Sequence, residues 1–226
     1  MNRARALLAV LLLASGCSSG PCSCPDCPSC TACCAASSKE AGGGALSLFD
    51  GKSLSNWKVT EYGGQGEVSV KDGELTVAMG AALSGVTWAG AEIPRTNFEV
   101  SLEAMKLDGD DIFCGICFPV GKENCSFVCG GWGGQVVGLS SVDGEPAMEN
   151  DTCKLQEFKK DRWYRIRLRV TPAKIEAWVD DKPMVNLDLK ERKISLHPAM
   201  DLAMPLGIAT YSTTSKFRNI ALKRLP

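Results

Sequence analysis

The chain has 226 residues, 45% of them hydrophobic, and its 25 Lys and Arg nearly balance 26 Asp and Glu, for a net charge of −1. Interspersed charges of both signs exclude a basic face for nucleic acid, and a single histidine excludes a histidine-rich metal site. Once the N-terminal region is set aside, the remainder is one domain's worth of chain, long enough to bury a sizeable core.

The N-terminus reads as an export signal. Arg3 and Arg5 give a basic start, and Ala6 to Ala14 is an apolar run, too short for the ~20 residues that span a bilayer. Leu13-Ala14-Ser15-Gly16-Cys17 resembles the bacterial lipobox. That predicts a signal peptide over residues 1–16 and lipid attachment at Cys17, with an ordinary secretory cut nearby as the alternative. Either way the domain works outside the cytoplasm. The lipidated form belongs to the bacterial cell envelope and meets the membrane only through its lipid.

Residues 17–45 are expected to be a disordered linker, because Cys22, Cys24, Cys27, Cys30, Cys33 and Cys34 stand among Ser, Pro, Ala and Gly with almost nothing large and apolar. Cys24, Cys27, Cys30 and Cys34 formally match the spacing of an iron–sulfur ligand run. No proline follows Cys34 and no apolar residue shields a cluster, so the linker reading is preferred.

From residue 46 the pattern has period two. Phe98, Val100, Leu102 and Ala104 alternate with Glu99, Ser101 and Glu103, and Tyr164, Ile166, Leu168 and Val170 alternate with arginines. Each set predicts a strand with one face in a core. Further short strands are expected at 68–70, 74–79, 85–89, 112–118, 126–129, 135–140, 175–179, 184–189, 206–211 and 217–222. Turn residues such as Lys71-Asp72-Gly73 and Asp180-Asp181-Lys182-Pro183 separate them. Helix is confined to a turn near 189–194 or 198–201. Residues 46–226 are therefore expected to form an all-β domain of two packed antiparallel sheets.

Several residues in this region are candidates for function. Cys114, Cys117, Cys125 and Cys129 flank Val120-Gly121-Lys122-Glu123-Asn124 and face one another across a hairpin as disulfide candidates, favoured by an oxidising compartment. Five domain cysteines, counting Cys153, leave one over, and connectivity stays open. Gly130-Gly131-Trp132-Gly133-Gly134 offers an indole on a pliant backbone. Either Trp132 is a platform for the C–H face of a sugar, with Gln135 beside it and Trp88 as a second surface, or the glycines make a bend and the ring covers the core. Asp108, Asp110 and Asp111 cluster before a strand. They read first as turn residues, with a carboxylate pair or a calcium site as the alternative; no other cofactor is expected. Glu123 is a further acid candidate, His197 reads as loop, and no serine-nucleophile, Walker or dinucleotide motif is present.

Leu48-Phe49-Asp50-Gly51-Lys52-Ser53-Leu54-Ser55-Asn56-Trp57 resembles the opening motif of the 3-keto-disaccharide hydrolase domain family. Trp163-Tyr164-Arg165-Ile166, Ile175 to Asp180 and Phe217-Arg218-Asn219-Ile220 resemble its later strands. The middle departs from the family pattern: Ile112 to Phe118 carries no arginine, and Gln135 stands where a glutamate is usual, an amide that cannot act as acid or base. The resemblance implies a concanavalin-like jelly-roll sandwich in an exported bacterial protein that handles carbohydrate. If the domain is active, it implies cleavage of a 3-keto-glycoside by a carboxylate base, with Asp110, Asp111 and Glu123 as candidates. A lectin-like glycan-binding module or an envelope scaffold is the non-catalytic alternative.

Overall fold

A computed structural model describes residues 44–226; the expected signal peptide, the lipidation site Cys17 and nearly all of the cysteine-rich linker lie outside the described residues. Two antiparallel sheets face each other as a jelly-roll sandwich. The eight-stranded sheet comprises β1 (Leu46–Ser47), β3 (Val68–Lys71), β4 (Glu74–Val77), β6 (Phe98–Gly109), β11 (Trp163–Val170), β12 (Lys174–Val179), β13 (Lys182–Asp188) and β15 (Thr213–Arg224). It runs β13-β12-β11-β6-β15-β4-β3, with β1 beside β15. The seven-stranded sheet comprises β2 (Trp57–Val59), β5 (Leu83–Trp88), β7 (Cys114–Val120), β8 (Glu123–Gly130), β9 (Val136–Ser140), β10 (Lys154–Leu155) and β14 (Gly207–Tyr211), in the order β10-β9-β8-β7-β14-β5-β2.

The two sheets differ in a way their sequences explain. On β6 and β11, every second residue is buried against the opposite sheet, while the outward Glu and Arg positions form a lattice of ion pairs such as Arg169 to Glu99 at 2.9 Å. Across β7, by contrast, all seven residues are buried, as expected of a strand covered on both faces. Phe118, Ile116 and Cys114 point into the shared core. Cys117, on the other face, joins a smaller cluster with Leu83, Met200, Ala203 and Ala209.

That outer cluster exists because residues 190–206 fold across the seven-stranded sheet. Asp143 anchors the segment: its Oδ1 accepts the Lys193 N–H at 2.8 Å, and Oδ2 meets Arg192 at 2.6 Å. The segment ends in a 3-10 helix over Pro198–Ala203, begun by His197, whose Nδ1 accepts the Ala199 N–H at 3.2 Å. Of the two expected helical turns, 198–201 forms; 189–194 does not.

The opening motif is structural. Asp50 Oδ1 accepts the Lys52 and Ser53 N–H groups at 2.8 and 2.9 Å. Leu48 and Phe49 enter the core, and the Trp57 indole donates to Leu48 O at 2.8 Å. Its ring meets Trp88 edge-on, 5.2 Å between centroids.

Candidate functional site

The seven-stranded sheet is hollow on its outer side because small residues occupy its outward positions. Gly115 on β7, Ser126 on β8, Ser140 on β9 and Ala209 on β14 leave space that the 190–206 segment covers only in part. The result is a cleft of about 440 Å³. Leu83, Ile112, Val128 and Met200 line its apolar floor, and its other lining residues include Asp111, Trp132, His197 and Tyr211.

Trp132 is 45% exposed and Tyr211 42%, so two amphipathic rings stand at the cleft with much of their surface in solvent. Trp132 owes its position to the glycines around it. Gly130 (φ 82°), Trp132 (φ 49°) and Gly133 (φ 85°) are all left-handed, a region that favours glycine, and together they turn the chain sharply between β8 and β9. A Cβ on Gly130 would stand 2.9 Å from Phe113 Cδ1. Asp111 ties the loop down: Oδ1 accepts the Ile112 N–H at 2.8 Å and Oδ2 the Gly133 N–H at 3.3 Å. A residue expected to supply chemistry thus holds the indole in place.

The structure brings together only part of the expected site. Trp132 and Asp111 share the cleft. Asp110 does not line it; its backbone carbonyl packs beneath Gly134. Glu123 does not line the cleft either: it opposes Val120 at the hairpin tip, six pairs along the strand from Cys114 and Cys129, about 20 Å at strand spacing. Gln135 is exposed beside the loop but outside the cleft, with its backbone bonded to Gly131 and Gln156. Trp88 is 8% exposed, packs in the core and donates its indole N–H to Ala91 O at 2.8 Å, so it is no second platform. Trp163 and Trp178, expected to be structural, carry the guanidinium groups of Arg218 and Arg167, each 4.0 Å from the ring centre. Trp132 is therefore the one indole that lines this cleft.

The aspartate cluster is dispersed among separate tasks. Asp108 pairs with Lys160 at 2.7 Å, a hydrogen bond that holds its carboxyl below the usual range, whereas Asp111 serves backbone groups. Among the described residues no three His, Cys, Asp or Glu side chains converge on a point that suits a metal ion. No bond joins any two of the five described cysteines in this structure. Cys117 and Cys125 lie on opposite faces of the hairpin.

Two cleft residues were missed by sequence reading. Tyr211 is the last residue of a strand, indistinguishable from a core aromatic until its register is known. His197 lies next to Pro198 and was legible as loop, not as part of a cleft.

The sequence matches the 3-keto-alpha-glucoside-1,2-lyase-like domain family over residues 44–223. No curated protein matches it. Among solved structures, apo Crh5 transglycosylase is similar with a TM-score of 0.55 at 10% identity, covering 82% of this chain and 85% of that one. A structure described with the endo-acting O-glycanases that prominent members of the human gut microbiota express gives 0.51 at 13% identity, covering 80% and 100%. The carbohydrate-binding module CBM66 of Bacillus subtilis gives 0.46 at 9%, covering 74% and 95%.

Proposed function

Since the chain belongs to the 3-keto-alpha-glucoside-1,2-lyase-like domain family, a carbohydrate-related family, we propose that its cleft binds a sugar, stacked on Trp132 with Tyr211 facing it, and that the domain acts as a glycan-binding module. The observation that carries this reading is the pair of half-exposed rings at a preformed cleft on the sheet's hollow side. An indole or phenol face suits the C–H face of a pyranose, while the ring N–H or O–H serves its hydroxyls.

Binding is preferred to catalysis because the one carboxylate that lines the cleft is engaged by backbone groups. Elimination from a 3-keto-glycoside needs a base to take the proton beside the ketone while the C1–O bond breaks, and an acid to protonate the leaving oxygen. Asp111 spends both oxygens on backbone N–H groups, and His197 Nδ1 accepts the Ala199 N–H. A glycan array probed with the purified protein is expected to show binding that Trp132→Ala reduces at least tenfold, with unfolding changed by no more than about 1 kcal/mol. Release of the aglycone from a 3-keto-glucoside, lost in Asp111→Asn, would overturn the non-catalytic reading in favour of the lyase.

The same proposal places the domain on the cell envelope, tethered through Cys17; the basic start, the apolar run and the lipobox-like Leu13 to Cys17 support it. Cells fed radiolabelled palmitate are expected to label the wild-type chain and not Cys17→Ser. Equal labelling of both would contradict the anchor.

A further inference from the structure

Three cysteines point into the core from the β7–β8 hairpin, and only two of them meet. Cys114 and Cys129 are direct cross-strand partners, both with 0% exposure. Burial pushes both thiols up, and the proximity of Cys114 pushes Cys129 further. Directly opposed residues of an antiparallel pair hold their Cα atoms about 4.5–5.5 Å apart, within the range a disulfide needs, about 4.4–6.8 Å. The other cysteines fail on geometry. Cys125 opposes Phe118, four residues along β8 from Cys129, about 13 Å at strand spacing. Cys117 opposes Ser126 on the outer face, against Leu83 and Met200, where burial raises its thiol to about 12. Cys153 precedes β10, whose neighbour is β9, not the hairpin's β7.

We propose that Cys114 and Cys129 are joined by an intrachain disulfide that staples the two segments framing the cleft. Cys114 follows Asp111 and Ile112, and Cys129 leads directly into Gly130 and Trp132, so the staple fixes both walls from beneath. The oxidant is a disulfide donor of the glutathione-disulfide class. One thiolate attacks the donor to give a mixed disulfide and one donor thiol, and the second cysteine displaces the other. Two electrons pass to the donor, and both cysteine protons end on its thiols. Complete burial places this exchange before the sheets close over the hairpin, since sealed thiols with raised pKa are unreactive. An oxidising compartment rests on the proposed export; the register does not, and only the effect on affinity rests on the sugar reading.

The test is to refold the full chain in a glutathione–glutathione disulfide buffer, alkylate free thiols and locate the bridge by fragment mass spectrometry. The expected product joins Cys114 to Cys129 and leaves Cys117 and Cys125 alkylated. Dithiothreitol is then expected to lower the urea midpoint of the wild type but not that of the double variant Cys114→Ala/Cys129→Ala. Neither readout needs a sugar, so failure of the staple and failure of the binding site are distinguishable. Alkylation of both Cys114 and Cys129 after oxidative refolding, a bridge from either to another cysteine, or a wild-type midpoint indifferent to reductant would overturn the proposal.

Discussion

Trp132 sits in a backbone conformation that costs an ordinary residue about 1–2 kcal/mol, and the chain retains it by surrounding the indole with glycine and tying the loop to Asp111. Strain held in this way marks a position whose orientation matters. Gly130→Ala is therefore expected to destabilise the domain by about 1–2 kcal/mol, from the left-handed backbone alone, with a further cost from the contact with Phe113. Urea unfolding measures it, and an unchanged midpoint would show that the loop is not constrained as described. The glycine loop was legible in the sequence, but which way the ring faced was not. That depends on which face of β8 meets the core, and the pleat reverses with a shift of one residue. Trp88 shows the same limit: its spacing gave a strand, while its burial came from Trp57 on a neighbouring strand.

At the scale of elements, the strands with clean alternation were read well because one face is solvated, as on β6 and β11. The apolar run that became β7 was also read as a strand, yet its meaning was hidden. A strand buried on both faces announces a cover, and the cover comes from residues 190–206, far away in sequence and without periodicity. The two- and three-residue strands β1, β2 and β10 carried no period to detect. Asp143 connects that cover to the sheet, and the Lys193 N–H, followed by Arg192, holds its carboxyl below the usual range. A depressed folded pKa contributes stability that is complete above the unfolded value, ~3.9, and is lost as pH falls through the folded one. Below about pH 4 the cover is therefore expected to loosen, with faster amide exchange at Lys193 and Ser195, whose N–H groups bond across this junction. Asp143→Ala should show the same exchange at pH 7. Protection that survives both changes would remove Asp143 from its anchoring role.

The whole molecule divides labour between its two sheets. The eight-stranded sheet presents a lattice of paired charges with its tryptophans under arginine, whereas the seven-stranded sheet gives up bulky outward residues and leaves a cleft with two open rings. The ends of the domain carried the family resemblance because the opening motif and the closing strands build the core, and core packing constrains residue identity. The cleft was less legible, since its walls come from four distant parts of the chain: 82–83, 111–140, 197–200 and 209–211. The central claim is that Trp132 is the sugar platform, and the most direct measurement follows the five indole N–H signals in a ¹⁵N correlation spectrum while a glycan ligand from the array is titrated in. The Trp132 signal is expected to shift saturably while those of Trp57, Trp88, Trp163 and Trp178 stay in place. A saturable shift of any of those four with Trp132 unmoved would contradict the account.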